Sequence, residues 1–311
     1  MLEKIRLSVI IPLYNKAQSV SKTIDCVLAQ TFTDYEVLVI DDGSTDGSAE
    51  VVRGYDDARI RLISKPNGGV SSARNRGIHE AKNDYLAFLD ADDYWEPTYL
   101  EEQVRMITDF PDAAMWSTGW GYLVEDKKIA IPHKPSPHRG YITDYWTTKK
   151  CSNIFWMSVC VIRRSVFDTI EPYDERMRYG EDLDMAWRII ANYPVAFNST
   201  ILAYYRQDAE NRACEKKHIP IESRVEYYPD KYATYRQQNK ELRRYYDSWR
   251  AMGLREYLFK ENDRRVYALT KDLDYRIIPF RFWLYYKTPY CIGKAYYCFE
   301  NAVLRIIHGH R

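Results

Sequence analysis

Tyr85-Leu-Ala-Phe-Leu-Asp-Ala-Asp-Asp93 passes within nine residues from an apolar run to a cluster of three carboxylates. The apolar half reads as a buried strand. Carboxylates crowded at its carboxyl end repel one another unless a cation lies among them, and hard divalent ions prefer such oxygen ligands. The same grammar recurs upstream: Leu7-Ser-Val-Ile-Ile-Pro12, Tyr35-Glu-Val-Leu-Val-Ile40 and 60–64 are short strand-like runs, the second ended by Asp41-Asp-Gly-Ser-Thr-Asp-Gly-Ser48. Between them, Val20, Ile24, Val27 and Leu28 lie at helical spacing within 19–30, with Ser19 as N-cap. A helix through about Gly54 and the stripe Val70, Ala73, Gly77, Ile78, Ala81 complete the alternation. Four strands alternating with helices within residues 1–95 predict an α/β domain with a mostly parallel sheet flanked by helices. Its polar loops follow the strands, at the carboxyl ends where such sheets bind ligands.

Beyond 110 the pattern becomes irregular up to 205, with a strand read at 159–163 and a helix at 181–192 that turns Leu183, Ala186, Trp187 and Ile190 inward. Charge changes sign near 205–220: residues 1–205 carry 23 basic and 30 acidic side chains, residues 206–311 carry 22 and 14. These features divide the chain into an α/β domain, 1–215, and a mainly helical, basic and aromatic extension, 216–311. At 46% hydrophobic and 29% charged residues, wholesale disorder is excluded. The six cysteines form no CxxC pair, which argues against a zinc ribbon or disulfide scaffold and for a reducing compartment. The start, Met-Leu-Glu-Lys-Ile-Arg, is unlike a signal peptide, and no run approaches the ~20 apolar residues of a spanning helix. A net charge of +1 and the lack of a recognised binding module argue against nucleic acid.

Four motifs carry chemistry. For Asp90-Ala-Asp-Asp93, an EF-hand loop fails at Tyr94 and Trp95 when counted from Asp90, and at Arg53 when counted from Asp42; a cation site or a solvated acidic turn remains. Asp41-Asp42 suits hydrogen bonds to a base or ribose, or a plain Asx/Gly turn, while the first loop, Pro12-Leu-Tyr-Asn15, has neither the dinucleotide fingerprint nor a Walker A motif. Asn67-Gly-Gly-Val-Ser-Ser-Ala-Arg-Asn-Arg-Gly77 allows close backbone approach and places Arg74 on the first turns of a helix, as an anion contact or a surface arginine. Gly180-Glu-Asp182 opens a helix, as a cap or as a general base facing a cleft.

In order, these segments resemble family 2 of the nucleotide-sugar glycosyltransferases, which have the GT-A fold and invert the anomeric centre. The series runs Ser8-Val-Ile-Ile-Pro-Leu-Tyr-Asn15, Leu28-Ala-Gln-Thr-Phe32, Val39-Ile-Asp-Asp-Gly-Ser-Thr-Asp46, Asn67-Gly-Gly69, Ala73-Arg-Asn-Arg-Gly77, Phe88-Leu-Asp-Ala-Asp-Asp93 and Gly180-Glu-Asp182, and covers roughly 5–205. The resemblance implies that Pro12 and Tyr14 line the nucleotide base, that Asp42 bonds its edge or the ribose, and that Asn15, Asn67 and Gly68 belong to the same nucleotide-sugar site. It implies that Arg74 approaches the diphosphate, and that Asp90-Ala91-Asp92 is the D-x-D motif. Asp92 would then ligate Mn2+ or Mg2+, and Asp182 would take the proton from the acceptor hydroxyl. Two positions depart from the family pattern. Glu171-Pro-Tyr-Asp-Glu175 replaces Gly-x-Phe-Asp-Glu, and Tyr205-Arg-Gln-Asp-Ala-Glu210 lacks the His that many members carry, leaving Asp208 or water to complete a metal shell.

The implied activity is hexosyl transfer, in class EC 2.4, from a nucleoside diphosphate sugar (UDP favoured) to a hydroxyl of a growing polysaccharide or lipid-linked glycan. A nucleotidyltransferase shares such a fold and metal site but would favour a G-x-G loop with Arg or Lys after the first strand. An inactive nucleotide-sugar or glycan binder is the non-enzymatic alternative. In the extension, residues 206–311 hold 14 of the 28 tyrosines, and 276–311 carry six Lys/Arg and one acid among aromatic residues. Such a segment suits an anionic membrane surface, and equally a homodimer interface or packing on the catalytic domain. The corresponding location is cytoplasmic, peripheral on the inner face of the membrane.

Overall fold

A computed structural model describes residues 4–131, 138–147, 154–212 and 219–308. The chain forms two compact units, Met1–Ile219 and Pro220–Arg311. The boundary expected at 215/216 falls within 213–218, outside the described residues, as do Cys151 and Cys214. Cys26 and Cys160 are buried free thiols, and Cys291 and Cys298 are exposed ones.

The first unit opens as the hydrophobic periods predict: β1 (Leu7–Leu13), α1 (Val20–Leu28), β2 (Tyr35–Asp41), α2 (Ser48–Arg53), β3 (Ile60–Ser64), α3 (Val70–Glu80) and β4 (Tyr85–Phe88). β1 lies parallel between β2 and β4, and β3 is parallel to β2. Val9, Ile10 and Ile11 have no solvent exposure, because a strand covered by helices on both faces buries every side chain; each contributes about 1.5–3 kcal/mol. Gly77 lets α3 lie close on β1, since a Cβ there would overlap Ile10. The parallel register aligns Pro12 with Ile40 and Ile10 with Phe88, so the loops after β1, β2 and β4 emerge together.

There follow β5 (Tyr94–Trp95), α4 (Tyr99–Asp109), β6 (Met115–Val124), β7 (Lys127–Ala130), β8 (Arg139–Tyr141), β9 (Cys160–Arg163), α5 (Glu181–Asn192) and β10 (Val195–Arg206). The main path of the sheet runs β3-β2-β1-β4-β9-β6-β10-β5, with β7 on β6 and β8 on β10. β9 runs antiparallel to β4 and β6, while β10 is parallel to β6, making the sheet mixed. The two longest strands, β6 and β10, lie where the sequence reads as irregular. β6 carries two glycines among aromatics, and the Asn198-Ser-Thr segment of β10 interrupts the alternation and coincides with a bulge.

Two local expectations are corrected. Ser19 occupies the N-cap position of α1, but its side chain does not cap the helix; its hydroxyl goes to Glu210, whose carboxylate accepts from the Gln18 and Ser19 amides. In α5, Ala186 and Trp187 are buried as expected, whereas Leu183 and Ile190 are half-buried. The other buried positions are Met185, Ile189 and the Asp184–Arg188 ion pair at 2.8 Å.

The second unit is helical: α6 (Ala233–Gln238), α7 (Lys240–Lys260), α8 (Val266–Leu269), α9 (Phe280–Lys287) and α10 (Tyr290–His308). Asn239 caps α7 by accepting from the Glu241 and Leu242 amides, an arrangement worth about 1 kcal/mol. Leu254, Leu258, Phe259, Phe282 and Tyr285 anchor its core. Beside it the buried Arg250 is paired with Asp272 at 2.9 Å and Arg236 with Asp247 at 2.8 Å.

Candidate active site

The carboxyl ends of β1, β2 and β4 are tied by short-range polar chemistry. After β1, Asn15 adopts a left-handed backbone (φ 52°), which Asn tolerates better than most residues. Its side-chain oxygen accepts from the Thr45 amide at 2.8 Å, and its own amide donates to Ser44 Oγ at 3.1 Å. Tyr14 stands 42% exposed beside this turn, and Pro12 is half-buried.

Asp42 is buried. One carboxylate oxygen accepts from Lys65 Nζ at 2.5 Å and the Gly68 amide at 2.9 Å, and the other from the Gly69 amide at 2.7 Å. Asn67 Nδ2 donates to the Asp42 carbonyl. In this structure Asp42 thus holds the glycine loop at the entry of α3. Gly69 has φ 89°, a backbone that favours glycine, and a Cβ there would have to displace the Arg178 guanidinium.

Arg74 is 3% exposed and is spent inside the protein. Nη2 meets Asp90 at 2.8 Å and Nη1 meets Glu181 at 3.0 Å, with the guanidinium over the Tyr173 ring. Burial opposes its charge, but Asp90, Tyr173 and Glu181 outweigh burial and keep it protonated. In this structure the Arg74 guanidinium joins the two acidic segments, the loop after β4 and the start of α5.

Within 90–93, the three carboxylates have different surroundings. Asp93 accepts from Ser158 Oγ at 2.7 Å and from the Arg206 amide at 3.2 Å; burial, then Asp92, pushes its acidity well down. Ser158 Oγ also accepts from the Asp90 amide, so one serine sets the shape of the acidic loop. Asp92, beside the buried Ala91, meets Lys16 Nζ at 2.6 Å. Burial raises its pKa and Lys16 opposes the rise. Lys16 also donates to the Glu210 carbonyl.

Asp182 is half-buried at the first turn of α5. One oxygen accepts from the Leu183 amide at 2.8 Å, and the other has no hydrogen bond among the described residues. Burial, then the neighbouring Glu181, raises its pKa from 3.8 to about 7, while Arg74 restrains the rise. A carboxylate so tuned can accept a proton near neutral pH.

No group of three or more His, Cys, Asp or Glu side chains is arranged around a metal position among the described residues. Asp90 and Asp93 are engaged elsewhere, and Asp208 is taken by the Glu125 amide and Arg206. What remains is Asp92, with an ammonium ion already on its oxygen. This donor set fits an ion carried largely by substrate phosphates, as Mg2+ commonly is, rather than a metal centre built wholly from protein.

The structure thus brings Asp90, Arg74, Glu181 and Asp182 into one constellation and seats Asp92 in the same acidic loop. Lys16, Lys65, Ser158, Arg206 and Glu210 are the participants that the sequence reading missed. Lys16 follows the Tyr14-Asn15 turn directly and had a local signal; Ser158 and Glu210 had none.

Residues 8–171 match the glycosyl transferase family 2 profile. The chain is 31% identical over 187 residues to the uncharacterized glycosyltransferase EpsJ of Bacillus subtilis, covering 57% of this chain and 53% of that protein. It is 42% identical over 164 residues to the uncharacterized glycosyltransferase YibD of Escherichia coli, covering 50% and 48%. The chain therefore spans about half the length of these relatives. The solved structure of Staphylococcus aureus TarS 1–349 in complex with UDP-GlcNAc superposes with a TM-score of 0.62 at 17% identity, over 90% of this chain and 79% of that one, a likeness of fold. Matched over more than half its length, from β1 to the segment preceding α5, and built on the GT-A architecture, this chain belongs to glycosyl transferase family 2.

Proposed function

We propose that this protein transfers a hexosyl group from a nucleoside diphosphate sugar to an acceptor hydroxyl with inversion, in the synthesis of a surface polysaccharide or lipid-linked glycan. The observation that carries the reading is Arg74, which holds Asp90 of the acidic loop and Glu181, next to Asp182, on one guanidinium. Asp182, with a pKa of about 7, takes the proton of the acceptor hydroxyl as the hydroxyl oxygen attacks the anomeric carbon, and the bond from that carbon to the diphosphate breaks on the opposite face. Asp42 and the glycine loop shape the nucleotide end, with Tyr14 beside the base. Mn2+ or Mg2+, held by Asp92 together with the diphosphate, would neutralise the charge that builds on the leaving group. UDP-GlcNAc, the ligand in the TarS structure, is the first donor to test. The assay is UDP release from UDP-GlcNAc with Mn2+ and a glycan acceptor, followed for the wild type and Asp182→Asn; equal rates would remove the proposed base.

We further propose that the second unit rests on an anionic membrane. Phe280 (68% exposed), Phe299 (65%), Ile292 and Trp283 present apolar surface, with Arg281, Lys287, Lys294 and Arg305 exposed among them. The combination of aromatic rings and cations suits the headgroup region. No helix among the described residues is long and apolar enough to cross a membrane.

A further inference from the structure

Along β6 the aromatic side chains change character. Trp116 is fully buried, whereas Trp120 and Tyr122, nearer the carboxyl end, are only half-buried. Tyr205 of β10 lies opposite Tyr122 in the parallel register, and the Trp156 ring meets Trp120 of β6 and Tyr205 of β10. The four rings form one cluster, edge-to-face for Trp120–Tyr122 at 5.5 Å, Trp156–Tyr205 at 5.4 Å and Tyr122–Tyr205 at 6.3 Å, and tilted for Trp120–Trp156 at 5.3 Å. Each ring is half-buried, unlike the core rings Trp95, Tyr99 and Trp187. Arg212 caps the cluster over Tyr205 at 5.4 Å.

Backbone and side-chain contacts wire this cluster to the acidic constellation from two sides. Ser158, two residues after Trp156, sets the acidic loop through Asp90 and Asp93. Cys160 donates its thiol to the Trp156 carbonyl at 3.2 Å and lies close enough to Asp182 to feel its charge. Met157 receives the Tyr173 hydroxyl, and the Tyr173 ring sits beneath Arg74. From the other strand, Arg206, next to Tyr205, gives its amide to Asp93.

We infer that Trp120, Tyr122, Trp156 and Tyr205 form the acceptor subsite and that the acceptor is a glycan whose pyranose rings stack on them. A sugar offers a C–H-rich face to an aromatic ring and hydroxyls to the polar handles of Trp and Tyr. A lipid alcohol would fill an apolar slot instead, with no use for a platform of polar-tipped rings. The inference rests on the proposed transfer reaction and names the substrate class at its acceptor end.

The test is saturation-transfer NMR on the full chain with chitotriose, cellotriose and mannotriose, with geranyl phosphate as the lipid probe. At least one trisaccharide is expected to receive saturation mainly at its C–H protons. Trp156→Leu and Trp120→Leu should weaken that binding about tenfold, the usual scale for truncating an aromatic anchor, while Trp156→Phe largely retains it. A rise in melting temperature on adding UDP and Mn2+ shows that each variant is folded and tests the donor site independently of the platform. Equal glycan binding by the Leu and Phe variants overturns the inference, as does saturation of geranyl phosphate but of no trisaccharide.

Discussion

Asp90 and Glu181 are held by the two terminal nitrogens of one buried guanidinium, at 2.8 and 3.0 Å from Arg74. The first belongs to the loop after β4 and the second to the start of α5, so Arg74 fixes the spacing between the acidic loop and the candidate base. It also lies close enough to Asp182 to restrain the rise in that residue's pKa. One side chain thereby couples the geometry of the site to its titration.

Asp182→Asn should cut sugar transfer by about 10²–10⁴-fold while leaving donor affinity nearly unchanged, because a general base acts in the transition state rather than in donor binding. The wild-type rate should rise with pH through about 7, as the carboxyl loses its proton, and the residual rate of the variant should not. Kinetics between pH 5 and 9 decide this; a wild-type profile flat across that range would exclude Asp182 as the base.

The same group predicts a pH-dependent stability. Folded Asp182 keeps its proton up to about pH 7, whereas a free carboxyl loses it near 3.8. The folded state therefore binds the extra proton between these values, and the stability it contributes is full below the lower one and lost as pH rises through the upper one. Asp182→Asn removes this titration. Its melting temperature relative to wild type should climb between pH 4 and 8, by some 2–4 °C for each ~1 kcal/mol relieved. A difference constant with pH would contradict the burial-driven shift.

Arg74→Lys should destabilise the first unit by about 3 kcal/mol, since a single ammonium cannot span two carboxylates and leaves one of them uncompensated. Loss of the guanidinium also removes a restraint on Asp182, so the pH midpoint of the remaining activity should move upward. Chemical denaturation and a pH–rate profile test the two parts separately. An unchanged midpoint would show that Arg74 does not reach Asp182 electrostatically.

Asp92→Ala should abolish the EDTA-sensitive part of UDP binding in titration calorimetry. Lys16→Met should tighten Mn2+-dependent binding, because the ammonium on Asp92 at 2.6 Å no longer competes for the carboxylate. UDP binding that ignores EDTA in the wild type would remove Asp92 from the role of metal ligand.

Replacing Phe280, Trp283 and Phe299 together by Ala should shift the full chain from the pellet to the supernatant when it is sedimented with phosphatidylserine-containing vesicles. These side chains are exposed, so the fold should persist. Undiminished pelleting would point to a different attachment surface, and failure of the wild type to pellet would refute the membrane proposal.

Much of the site was legible because its parts are local. The run Phe88-Leu-Asp-Ala-Asp-Asp93 declares a buried strand and an acidic tip within a few residues, and Gly180-Glu-Asp182 declares a helix start with acids in its first turn. The long strands β6 and β10 were not legible. Their glycines, aromatic pairs and bulge erase the period of two that marks a strand, and it is their pairing with each other and with neighbouring strands that makes them strands.

The amino-acid order alone determined the alternation of strands and helices through β4 and the loops in which the acids and glycines stand, because hydrophobic period and turn chemistry act over a handful of neighbours. Only the tertiary structure decided what each carboxylate does. Asp42 is spent on Lys65 and the glycine amides, Asp93 on Ser158 and Arg206, Asp90 on Arg74, and Asp92 is matched to Lys16, while Asp182 is left as the carboxyl whose proton is loosely poised near neutrality. A buried charge is governed by whatever lies within a few ångströms, and here several of those partners arrive from strands and loops far away in the chain.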